Sequence, residues 1–354
     1  MTRLAAFSTS MLLATAGFAA AAPNVVVSIK PLHSLVASVM EGVAEPSLIV
    51  DGAGSPHSYA LRPSQAAALE EADVIFWMGH ELETFLERPI ETIGSGATAV
   101  SLIDAPGLKL LPFREGGAFE GHDHAHEEHE KEAEAAGKPH DQAHEEAASE
   151  GGHDHAQEEA AAAASHNHGH EAAEGEHHDH GAFDPHVWLD PQNARALASA
   201  IEKALSAADP ENAERYAANT AVLDQRLDEL TTQVDAGLEP VKDRGFIVFH
   251  DGYHYFENRF GLEAAGSITV NPETPPGAER VTEIQARVRE LGATCVFAEP
   301  QFEPRIISVV TEGTDARTGT LDPLGAEIAD GPELYFELIE AMAASMRDCL
   351  AEPS

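Results

Sequence analysis

The chain has 354 residues, 43% of them hydrophobic, with 61 acidic against 21 basic side chains and a formal net charge of -40. That balance excludes a nucleic-acid binder, whose contact surface is basic, and the apolar content excludes a wholly disordered chain. Two cysteines exclude a disulfide-dense scaffold and a cysteine-based zinc ribbon.

Arg3 precedes an apolar run from Met11 to Ala22 that contains Leu12, Leu13 and Phe18 and ends in small residues ahead of Pro23. This reads as a secretory signal peptide over residues 1–22, cleaved between Ala20 and Ala22, with no cysteine there to accept a lipid anchor. The run is shorter than the roughly 20 residues of a membrane span. A soluble periplasmic protein is the expectation.

From Val25 short β-branched runs alternate with amphipathic helices. VVVSI, PSLIV, ADVIFWMG and AVSLI read as strands; helices are expected around Leu32 to Glu41, Pro63 to Glu71 and Glu83 to Thr92. The alternation predicts a first βα lobe on a parallel sheet over residues 23–190. Arg114 to Phe183 interrupts it with 19 acidic residues against Arg114, Lys131 and Lys138, and with 14 of the 20 histidines. A segment so poor in apolar side chains cannot bury enough surface to order itself, so residues 114–183 read as a disordered insertion.

Helices are then expected over residues 191–239. The first covers Gln192 to Ala207; the second starts at Asp209 as N-cap with Pro210 at the first position. It runs about 28 residues, roughly 40 Å, long enough to join two lobes. GFIVFH, EAAGSIT and TCVFAEPQ are strands of a second βα lobe over residues 240–354; GYHYFENRFG, TEIQARVRELG and the terminal LYFELIEAMAASMRDCL are its helices. The fold class is α/β: two parallel-sheet lobes joined by one long helix. Cys295 on a strand and Cys349 in the last helix are read as one disulfide in an oxidising compartment.

Outside the insertion six histidines remain, and three sit where a βα sheet presents side chains to a cleft. His57 lies in GAGSPHSYALRPS after a strand, His186 in FDPHVWLDP between two Asp-Pro steps that keep the backbone extended, and His250 ends GFIVFH. Asp322 in TGTLDPLG is a fourth candidate. Imidazole nitrogens with one carboxylate oxygen suit a tetrahedral zinc site. His33, His80 and His254 are read as structural. His254 is four residues after His250, but HDGYH has Asp251 where a HExxH zinc protease carries its glutamate. Hydrolytic zinc needs a nearby base; Glu299 in FAEPQ reads as structural, so the chain is read as a binding protein and not an enzyme.

GSPHSYALRPS, the His- and acid-rich insertion, DPHVWLDP, FHDGYHYFENRFGL, CVFAEPQF, TLDPLG and the C-terminal cysteine together resemble the zinc-specific solute-binding proteins of bacterial ABC importers, the ZnuA type, over essentially the whole mature chain. The resemblance implies metal bound in the cleft between the lobes. By position His57, His186 and His250 match the family's zinc histidines and Asp322 its second-lobe carboxylate. Some relatives carry a glutamate just before the first histidine, where this chain has Pro56, which leaves the fourth position to Asp322 or a water. Manganese-binding relatives place a carboxylate at the position of His250; an imidazole there favours zinc. Implied partners are an inner-membrane zinc ABC permease and an auxiliary periplasmic zinc chaperone, and the protein is expected to be a monomer. In the insertion His122, His124, His126, His153, His155, His166, His168, His170, His177, His178 and His180 are expected to bind further zinc weakly. The competing readings are a zinc-storage protein or metallochaperone, for which the insertion is the main site, and a manganese-binding relative.

Overall fold

The computed structural model describes residues 22–114, 119, 183–269, 272, 276–291, 295–302 and 305–351. Apart from Ala22, the expected signal peptide and the eleven histidines expected to bind zinc weakly lie outside the described residues.

Two four-stranded parallel sheets organise the chain. The first is built from β1 (Val25–Ile29), β2 (Ser47–Val50), β3 (Val74–Trp77) and β4 (Thr98–Ser101), in the order β2-β1-β3-β4. The helices α1 (Lys30–Val39), α2 (Pro63–Glu70) and α3 (Thr84–Thr92) make its crossovers. The second comprises β5 (Phe246–His250), β6 (Ser267–Thr269), β7 (Cys295–Ala298) and β8 (Arg317–Thr320), in the order β6-β5-β7-β8. It is crossed by α6 (His254–Phe260), α7 (Ala278–Leu291) and α8 (Arg305–Thr311). The winding is the same in both sheets although the sequence shows no repeat. In each, the order reverses beside the central strand, and a parallel sheet binds its ligands at the carboxyl ends of the strands at such a reversal.

Central strands β1 and β5 are buried at every residue, as expected of strands covered on both faces. Side chains alternate across the second sheet. Phe246 and Val248 of β5 and Cys295 and Phe297 of β7 join the main core. Ile247, Phe249 and Val296 pack instead with Ile284, Val288, Ile307 and Val310 of α7 and α8 in a separate cluster. By the same alternation His250 falls on the side of Phe246 and Val248, and Glu299 on the side of Cys295 and Phe297.

Between the sheets run α4 (Pro191–Ala208) and α5 (Ala213–Leu238). Asp190 caps α4, its carboxylate accepting the Gln192 N–H at 2.9 Å, with Pro191 in the first turn. Asp209 does not cap the long helix as its position suggested. Pro210–Asn212 form a separate 3-10 turn, and the Asp209 carboxylate accepts the Tyr216 hydroxyl at 2.8 Å and the Asn212 amide at 2.7 Å. The 26 residues of α5 span about 39 Å. Tyr216, Leu223, Leu227, Leu230, Val234 and Leu238 form one buried stripe, packed on α4, α1 and α9 (Leu334–Leu350).

Two elements have no counterpart in the sequence reading, α8 and β8. β8 reads Arg-Thr-Gly-Thr, an edge strand with two exposed residues and no apolar side chain, so no hydrophobic alternation announces it. It follows from pairing with β7, from Cys295 opposite Arg317 to Ala298 opposite Thr320.

Cys295 and Cys349 form a disulfide that ties β7 to α9 across 54 residues. The chain-entropy model gives a loop of that length about 4 kcal/mol at 25 °C. Reduction should lower the unfolding free energy by about that amount, read as a lower urea midpoint of the reduced protein.

Candidate metal centre

The three histidines selected from the sequence arrive at one place from two loops and a strand end. His57 sits beyond β2 in the open segment Asp51 to Arg62, His186 precedes the 3-10 turn Val187–Leu189, and His250 is the last residue of β5. One ring nitrogen from each lies within 4.8 Å of the others, the one such group of three His, Cys, Asp or Glu among the described residues. Ring centroids are 5.1 Å apart for His186 and His250, 5.6 Å for His57 and His186, and 5.9 Å for His57 and His250. The Nε2 atoms of His186 and His250 approach to 3.3 Å.

Two buried carboxylates aim this group. His186 Nδ1 is 2.6 Å from Asp184 Oδ1, which also accepts the His186 backbone N–H at 2.9 Å. His250 Nδ1 is 2.5 Å from Glu299 Oε1, which accepts the His250 N–H at 3.3 Å. A carboxylate acceptor on Nδ1 fixes that nitrogen as the donor and turns the Nε2 lone pair inward, the usual support of a metal-ligating imidazole. Asp184 is placed in turn by Tyr255, whose hydroxyl donates to the Asp184 carbonyl at 2.8 Å and accepts the Leu111 N–H at 2.9 Å. Trp188 lies 5.2 Å from the His186 ring, Tyr253 and Phe302 pack edge-on to His250, and Pro56, Pro323 and Leu324 complete the walls.

The imidazoles differ electrostatically. Burial and the two neighbouring rings hold His57 well below the ordinary histidine value. Burial also pulls His250 down, but the charge and hydrogen bond of Glu299 outweigh it and leave His250 raised.

Asp322 is not brought into the group. Its carboxylate accepts backbone N–H groups from Leu324 at 3.1 Å, Gly325 at 3.0 Å and Ala326 at 2.6 Å, and the Gln301 amide at 2.9 Å. Three of those donors share Oδ1 and the fourth takes Oδ2, so the carboxylate is engaged by its own turn and by Gln301. His33 and His80 also stand apart: His33 Nε2 is 3.0 Å from the Pro46 carbonyl and His80 Nδ1 is 3.1 Å from Glu87. His254 begins α6 outside the three. Glu299, read from sequence as structural, proves to be the partner of His250; its offset from Cys295 on an alternating strand was the signal that could have found it. Arg114, read from sequence as the first residue of the disordered insertion, is instead ordered and largely buried. Its guanidinium bridges Asp251 and Glu257 across 137 and 143 residues, bonding both Glu257 oxygens, at 2.7 and 3.0 Å, and donating from Nε to both Asp251 oxygens, at 2.9 and 3.1 Å. It thereby holds the residue that follows His250.

The family model described as "ZnuA: Zinc-uptake complex component A periplasmic" matches residues 25–349. The chain belongs to this family. A curated ZnuA relative, the high-affinity zinc uptake system protein of Brucella suis biovar 1, is 55% identical over 334 residues, 93% of this chain and 92% of that protein. The Yersinia pestis ZnuA is 34% identical over 96% of this chain and 95% of its own length. A solved, zinc-bound ZnuA deletion mutant superposes with a TM-score of 0.65 at 22% identity, covering 94% of this chain and all of that one. The periplasmic zinc-binding protein TroA of Treponema pallidum gives 0.68 at 16%, over 94% of this chain and all of its own. At such identities the likeness is one of fold, and the fold is that of the ZnuA family: two parallel α/β sheets with a long helix between them.

Proposed function

We propose that this ZnuA-family chain is a periplasmic solute-binding protein that captures Zn2+ through His57, His186 and His250 and delivers it to an inner-membrane zinc ABC permease. The observation that carries the reading is the convergence of three imidazoles, two of them oriented by buried carboxylates. An all-nitrogen set suits zinc better than manganese, which favours oxygen ligands. With Asp322 engaged by its own turn, water is the natural fourth ligand. The zinc relatives support the cargo, and the family's description as a periplasmic uptake component supports the location and the transport role over an enzymatic one.

The His-rich residues 115–182 act in this reading as an accessory, low-affinity zinc collector and as the place where an auxiliary zinc chaperone docks. Their alternating imidazoles and carboxylates offer many potential ligands. A chelator-competition titration of the intact apo protein beside a variant lacking 115–182 should show one tight equivalent in both and additional weak equivalents in the intact chain alone. Only weak sites, all lost with the deletion, would make the protein a zinc store rather than a transport component.

A further inference from the structure

The loop from Asp322 to Glu333 follows β8 and belongs in sequence to the second lobe, yet much of its bonding is to the first. Its beginning, held together by the Asp322 carboxylate, carries Pro323 and Leu324 into the wall of the metal cleft. Trp188, beside His186, donates its indole N–H to the Pro323 carbonyl at 2.9 Å. The rest of the loop lies on α1. Lys30 Nζ donates to the carbonyls of Ile328 at 2.7 Å and Ala326 at 3.4 Å and pairs with Asp330 at 3.1 Å. One turn along, Ser34 Oγ donates to the Pro332 carbonyl at 3.1 Å and accepts the Tyr335 N–H at 3.0 Å.

Lys30 is the unusual member. Its side chain is only 6% exposed, and lysine is almost never buried unless paired. All three of its partners lie on this loop, some 300 residues away. A buried ammonium is costly without its acceptors, so lifting the loop from α1 strands the charge until water reaches it. The loop cannot swing Pro323 and Leu324 away from the histidines without breaking these bonds.

We propose that Lys30 is a positioning residue of the metal site: it latches the 322–333 loop to the first lobe and so sets how fast the metal leaves the cleft. The inference rests on the reading of the three histidines as the zinc site. Lys30 touches no ligand; it acts through the loop.

The test uses the full chain loaded with zinc and a stopped-flow chase with excess chelator, on the wild type, Lys30→Met and Ser34→Ala. Lys30→Met keeps the aliphatic stem and removes the ammonium. Its dissociation rate should rise about tenfold, equivalent to about 1.4 kcal/mol, with the association rate changed less than twofold. The visible spectrum of the Co2+-substituted protein should be unchanged, because the ligands are untouched. Ser34→Ala, which removes one loop bond and strands no charge, should move the same way by a smaller factor and answers the question if Lys30→Met does not fold. A lysine that merely stabilises the fold would lower the melting temperature and leave dissociation from the folded protein as in the wild type, and that result would overturn the latch. If the wild type itself shows no tight zinc, the site assignment fails rather than the latch.

Discussion

His250→Ala should lower zinc affinity by about a thousandfold or more, about 4 kcal/mol, while leaving the fold intact. The ring is buried at the carboxyl end of a central strand, and its Nε2 sits 3.3 Å from that of His186. Removing it takes one of three protein nitrogens from the metal and leaves Glu299 without the imidazole it orients. Competition with a chelator of known affinity checks the loss, and far-ultraviolet circular dichroism checks the fold. A variant that binds zinc as tightly as the wild type would remove the triad from consideration as the tight site.

Glu299→Gln should weaken zinc binding about 10- to 100-fold, the usual cost of losing a carboxylate that orients a metal-ligating histidine, and should also change how binding responds to pH. In the apo protein Glu299 raises His250 above the histidine reference of 6.5 despite burial. Zinc must therefore displace a proton from His250, and affinity falls as pH drops through that raised value, by about tenfold per unit for one proton. With glutamine the proton is held less tightly, so the fall should begin at lower pH even though the plateau affinity is reduced. His57 behaves oppositely: burial and its two neighbours keep it neutral well below 6.5, so it adds no proton competition near neutrality. The signs carry over to apo stability. The raised His250 contributes stability that is full below 6.5 and is lost as pH rises through its folded value; the depressed His57 contributes stability present above 6.5 and lost as pH falls. Zinc titrations of both proteins between pH 5 and 8 check the shift, and parallel profiles would deny Glu299 its role.

Much of the site was legible because its histidines sit in local contexts that carry their own geometry. His186 lies between two Asp-Pro steps, His57 in a Gly- and Pro-rich loop after a strand, and His250 at the end of a buried strand; each is a position from which a βα sheet faces a cleft. Asp322 has the same kind of context, next to a proline after a strand, and there the local signal did not decide its neighbours. Whether a carboxylate faces a metal or its own backbone depends on which N–H groups the following turn presents, and here three of them converge on it.

Residue pattern by itself determined the two βα lobes, the long helix between them and the presence of three candidate ligand histidines, because hydrophobic periodicity and turn chemistry act over a few residues. Edge strand β8, with no apolar face, and the 3-10 break before α5 escaped it, since pairing and capping there depend on neighbours rather than on local preference. Glu299 on His250, Arg114 between Asp251 and Glu257, and Lys30 under the 322–333 loop were decided only by the tertiary structure. Each joins groups from 49 to about 300 residues apart, and a buried charge can be placed only where the fold delivers its partners. The sequence names the charge, but the assembled fold chooses what neutralises it.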